Sequence, residues 1–132
     1  MKVLDGKNAV MGRLASFAAK EALKGEEIKI VNCDQVIITG NRKFTEKEFQ
    51  GKRERVGSGQ QGPKVSRTSE KIVKRAIRGM LPDHREGVGR NAFKRILCYK
   101  GVPAEFASAK KITFNHEDKL KYIEVKELTL KK

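Results

Sequence analysis

The sequence predicts an α/β fold, and three observations predict it. Segments with strand-like alternation and segments with helical spacing follow one another from the N-terminus, in the order strand, helix, strand. A further helix-like piece, Gly87 to Arg95, runs directly into the apolar stretch Ile96-Leu97-Cys98-Tyr99, short enough for a buried strand. With 132 residues and 38% hydrophobic content, the chain is long enough for one domain with a substantial core. A single domain over residues 1–132 is therefore expected.

Taken in order, Lys2-Val3-Leu4-Asp5-Gly6 reads as a short strand closed by a turn glycine. A helix follows from about Met11 to Lys24. Leu14, Phe17, Ala18, Ala22 and Leu23 form its apolar face, Arg13, Ser16, Lys20 and Lys24 fall largely on the other side, and Gly25 stands as the terminator. The many alanines suit close approach to a sheet. Ile28 and Ile30 alternate against Lys29 within Glu26 to Asn32, a second strand, and a right-handed crossover makes a parallel pair the default. Val36-Ile37-Ile38-Thr39 is a third strand candidate. Only Cys33-Asp34-Gln35 precede it, too few residues for an adjacent parallel pair, so a hairpin or a bent continuation is open and its direction is not settled.

Thr45-x-x-Glu48 has the pattern of a capping box for a helix through Phe44, Phe49 and the following basic residues. Residues 51–69 then carry Gly51, Gly57, Gly59, Gly62 and Pro63 with almost no apolar side chains, which predicts a flexible basic loop. Ser66, Thr68 or Ser69 is the expected cap of the next helix. In that helix Ile72, Val73, Ala76, Ile77 and Met80 recur at helical spacing. Gly79 is the expected left-handed terminator, and Pro82 prevents the helix from resuming. In the following helix Arg90, Lys94 and Arg95 face outward, and the other face, through Ala92, Phe93 and Ile96, is expected to be buried. After Gly101, Val102-Pro103 begins an extended tail over 102–132 with alternations such as Tyr122-Ile123-Glu124-Val125.

Charge points to function. The chain has 30 Lys and Arg against 16 Asp and Glu, a formal net charge of +14 and a pI near 10.0. Most of the excess lies in residues 49–100, where 14 basic and 4 acidic side chains give +10, while the segment on either side carries +2. An imbalance of this size implies a polyanionic partner, nucleic acid first. The chain lacks a recognition-helix module, a heptad zipper and a paired Cys/His finger, which argues against DNA. Aromatic residues make up 6% and Trp is absent, so no stacking platform for single-stranded bases is evident. The basic helices direct their apolar faces to the core, unlike a membrane-surface helix. Lys and Arg on helices and loops instead suit the phosphates and shape of folded RNA.

Cys33 and Cys98 are far apart in sequence and sit within or beside apolar runs. Neither forms a CxxC pair, and His84 and His116 stand at no zinc-ligand spacing from them, so buried free thiols in a reducing cytoplasm are expected and no metal is. Asp5, Lys7 and Arg13 break any signal-peptide core, and no apolar run reaches the length of a membrane span. Gly12 before a helix lacks the further glycines of a nucleotide loop, so no cofactor is expected. No catalytic constellation is evident: Glu26 and Glu27 point to opposite sides of a strand, and His84 sits among arginines.

Three strings, in order, carry a resemblance. They are Gly12-Arg13-Leu14-Ala15-Ser16, then Ile38-Thr39-Gly40-Asn41-Arg42, then Gly79-Met80-Leu81-Pro82 with Gly89-Arg90-Asn91-Ala92-Phe93-Lys94-Arg95 and Tyr99-Lys100-Gly101. Together they resemble the large-subunit ribosomal protein L-thirteen family across residues 12–101. The direct start at the first strand and the form of the tail look archaeal. The resemblance implies a three-layer α/β/α fold with a mainly parallel sheet of about four strands. It also implies a non-enzymatic role in the cytoplasmic ribosome, binding and stabilising folded large-subunit ribosomal RNA beside neighbouring ribosomal proteins. An RNA-modifying enzyme with a small α/β domain, or a free RNA chaperone, is the competing reading. The candidate RNA-binding residues are Arg13, Asn41, Arg42, Lys43, Lys52, Arg53, Arg55, Lys64, Arg67, Arg75, Arg78, His84, Arg85, Arg90, Lys94 and Arg95.

Overall fold

The computed structural model describes residues 1–55, 66–114 and 121–130, with the side chain of Leu130 excepted. Strand β1 (Lys2–Asp5), helix α1 (Met11–Leu23) and strand β2 (Ile28–Val31) form the expected crossover, and β1 pairs with β2 in parallel with Leu4 opposite Ile30. Gly25, at φ +102°, terminates the helix. Strands β3 (Ile37–Thr39) and β4 (Ile96–Cys98) follow, with helices α2 (Arg42–Glu54), α3 (Ser69–Met80) and α4 (Gly87–Lys94) between them. The chain then makes β5 (Lys111–Thr113), β6 (Tyr122–Glu124) and α5 (Val125–Leu130). The main sheet has the order β4-β2-β1-β5, and every neighbouring pair in it is parallel.

Helices flank this sheet unequally. Leu4, Ile28, Ile30 and Ile96 are fully buried on the face that meets Leu14, Ala15, Ala18 and Ala22 of α1 and Ile72, Val73 and Ile77 of α3. Each of these Leu, Ile and Val side chains contributes about 1.5–3 kcal/mol by leaving water. The alanines of α1 have the predicted use, letting that helix lie close to its neighbours. Leu23 and Met80, expected on apolar faces, are exposed at the helix ends. On the other face, Val3 and Val31 lie beneath Phe106, which a short 3-10 turn at Ala104–Phe106 holds 5.6 Å from the Tyr99 ring.

The third strand takes neither expected course. Asn32 adopts a left-handed conformation (φ 57°), and a 3-10 turn at Cys33–Gln35 carries the chain out of the main sheet. β3 then pairs antiparallel with β6 in a separate two-stranded sheet, Ile38 opposite Ile123. The described residues after Gly101 form regular structure. They supply an edge strand of the main sheet, the partner of β3, and α5, whose Val125 and Leu128 are buried.

Three helix boundaries also differ from expectation. Asn41 rather than Thr45 caps α2: its side chain accepts from the Lys43 backbone N–H at 3.0 Å, while Thr45 is buried inside the helix and donates to the Asn41 carbonyl. That helix runs to Glu54, so the first residues of the expected loop are helical, and residues 56–65, with Lys64, lie outside the described residues. Thr68 occupies the cap position of α3 without a side-chain cap bond. Gly79 lies within α3 and has no left-handed backbone. The helix ends because Pro82 excludes helical geometry at Leu81, which is extended at φ −92°, ψ 150°.

The 79–95 string then has a packing reason. Gly87 (φ +68°) opens α4, and a side chain on buried Gly89 would collide with the carbonyl oxygens of Pro82 and Asp83. The turn and α4 are thus in backbone contact.

Candidate nucleic-acid interface

Lys71, Lys74, Arg75 and Arg78 recur at i, i+3, i+4 and i+7 along α3, which places them in one stripe opposite Ile72, Val73 and Ile77. The C-terminal end of α2 brings Lys52 and Arg55 to the same side. Between the two helices opens a cleft of about 310 Å³. Met11, Phe49, Ile72 and Ala76 give it an apolar lining, and Lys52, Arg55, Lys71 and Arg75 give it a cationic one. A shallower depression of about 210 Å³ continues past Lys74 and Arg78 to Phe93. Among the described residues, no carboxylate lines either hollow.

Aromatic rings set the positions of two of these cations. The Lys74 ammonium lies 4.7 Å from the centre of the Phe93 ring, and that of Lys52 lies 5.6 Å from the Phe49 ring. Each lysine lays its hydrocarbon stem against apolar surface and leaves its charge at the rim. Phe93 is half-buried between Lys74 and His84, whose ring centre is 6.4 Å away, rather than sealed in the core as expected. Lys52 also pairs with Glu48 at 3.5 Å, an exposed contact of small energy.

The remaining candidates divide. Arg67 is exposed just before α3, Lys94 is exposed on α4, and Arg85 and Arg90 are exposed around the turn, where Arg90 donates to the Arg85 carbonyl. Arg13 is exposed on α1, away from these clefts. Three arginines have internal work. Arg95 donates to the Ala22 carbonyl at 2.9 Å, at the C-terminal end of α1. Arg53 donates to the Leu128 carbonyl at 2.9 Å, and burial, followed by the nearby Arg67 charge, lowers its pKa. Arg42 pairs with Glu127 and Glu46. With Asn41 and Lys43 it lines a separate groove of mixed charge that contains Lys121, Lys126, Glu124 and Glu127.

Sequence reasoning missed Lys71 and Lys74. The signal was present, since they complete the four-residue helical stripe that Arg75 and Arg78 belong to.

A family model described as ribosomal protein L13 matches residues 1–105. The chain belongs to the ribosomal protein L13 family. Two relatives extend the likeness to almost the whole sequence. The large ribosomal subunit protein uL13 of Methanosarcina barkeri is 42% identical over 99% of this chain and 96% of its own length. That of Methanocaldococcus jannaschii is 42% identical over 98% and 95%. The uL13 of Methanopyrus kandleri is 45% identical over 76% of this chain and 62% of its own. The L13 family match ends before β5, whereas the first two relatives also cover the C-terminal strands and helix, as expected of an archaeal-type member.

Proposed function

We propose that this L13-family chain is a structural constituent of the large ribosomal subunit, not an enzyme, and acts in the cytoplasmic ribosome. It binds folded large-subunit ribosomal RNA through the cationic side of α2, α3 and α4, and the C-terminal groove with its mixed charges faces a neighbouring ribosomal protein. The observation that carries the RNA reading is the convergence of Lys52, Arg55, Lys71, Lys74, Arg75 and Arg78 around two adjoining hollows that no carboxylate of the described residues lines. The parallel sheet and buried helix faces make a rigid mount, so phosphates meet cations already held in place.

The test is filter binding of transcribed large-subunit RNA across a salt series. If roughly 6 to 10 phosphates are neutralised, log affinity falls against log salt with a slope of about −4 to −7 on single-strand-like RNA and more steeply on duplex. A nearly flat response rejects the electrostatic mechanism.

A further inference from the structure

The cleft between α2 and α3 differs from a plain phosphate-binding surface because its lining is apolar. Met11, Phe49, Ile72 and Ala76 converge there, and about 310 Å³ is at the small end of the range for ligand sites. A phosphate gains nothing from such a lining, but the face of a nucleobase does.

The polar groups narrow the choice of base. Lys52, Arg55, Lys71 and Arg75 offer hydrogen-bond donors and no acceptor. The Ser66 hydroxyl oxygen accepts the Thr68 backbone N–H at 3.1 Å, which leaves one lone pair against the donors of four cationic side chains. Among the described residues donors prevail, so a base that presents acceptors is favoured. The N7 and O6 edge of guanine does so, whereas adenine places an amino donor against the same cations.

We propose that this cleft receives one guanine unstacked from folded RNA, its faces against the apolar side chains, its N7–O6 edge towards the cations, and its phosphates on the lysines at the rim. This rests on the RNA-binding reading above and adds a base-specific contact to it.

Methyl NMR of the full chain, titrated with guanosine monophosphate and with adenosine monophosphate, tests the proposal directly. The Met11, Ile72 and Ala76 methyl signals are expected to move with the guanine nucleotide, at an affinity about tenfold above that for adenine. Equal affinities, or Met11, Ile72 and Ala76 methyl signals that stay in place, overturn it by showing phosphate binding alone. Ala76→Phe fills the cleft and leaves every charge in place. It should lower affinity for transcribed large-subunit RNA about tenfold without altering the salt slope. Unchanged affinity of a folded variant also overturns the proposal while leaving the RNA reading intact. If the variant fails to fold, the two-nucleotide titration of the parent chain decides alone. Failure of the parent to bind RNA counts instead against the RNA-binding reading.

Discussion

The polar stripe of α3 and the arginines at Arg42, Arg53 and Arg95 are alike in sequence, each a cluster of positive charge next to apolar residues, yet the fold treats them differently. Along α3, Lys71 and Lys74 project from a helix whose other face is buried, and among the described residues no carboxylate lines the hollows beside them. By contrast, Arg53 and Arg95 reach main-chain carbonyls of distant elements, and Arg42 meets two glutamates. The guanidinium suits such internal work because its donors are fixed in a plane and its charge is weakly hydrated. A cation's role is set by whether folding brings it an acceptor of its own, and local charge density does not report that.

The largest expected effect tests the outward-facing set. Replacing Lys71, Lys74 and Arg78 together by Gln should weaken RNA binding on the order of 100-fold at low salt and make the salt slope shallower by about three. The melting curve should stay nearly in place, since surface changes of this kind each cost within about 0.5 kcal/mol. Early unfolding, with little loss of affinity, would erase the contrast between the two sets.

The inward-facing set should respond in the opposite way. Arg53→Met and Arg95→Met each remove a charged donor to a carbonyl while keeping much of the stem packing, so each should destabilise the fold by about 1.5–3 kcal/mol. Urea denaturation measures the loss, and RNA affinity of the still-folded variants should change far less than in the triple variant. Arg95→Met with full stability and poor binding would place that residue in the other group.

The smallest effect concerns two glycines that frame the α3–α4 turn. Gly79 is helical with open space around it, so Gly79→Ala should stabilise by about 0.5–1 kcal/mol. Gly87 has φ +68°, and Gly87→Ala should destabilise by about 1 kcal/mol despite equal room. Thermal melting of the pair checks the signs, and a shared direction would contradict the turn geometry.

Much of the fold was legible because its signals are local. Ile28 and Ile30 alternate, the alanines of α1 repeat at helical spacing, and Gly25 ends that helix as a left-handed residue. Three strings and a basic excess were sufficient for the family. At two helix boundaries the outcome differed because two local signals competed. Thr45 and Asn41 both offer a cap, and Asn41 prevailed. Gly79 and Pro82 both offer a stop, and Pro82 prevailed through its constraint on Leu81.

What the sequence by itself determined is the class of fold, the family and the net attraction to a polyanion, since periodicity, short strings and total charge survive without coordinates. Only the tertiary structure decided that β3 would pair with β6, that the C-terminal segment would complete the sheet, and that Arg53 and Arg95 would serve carbonyls while α3 faces outward. Those outcomes depend on contacts between residues far apart in the chain. Their energies come from burying apolar faces and satisfying distant carbonyls together, and no local window contains both partners.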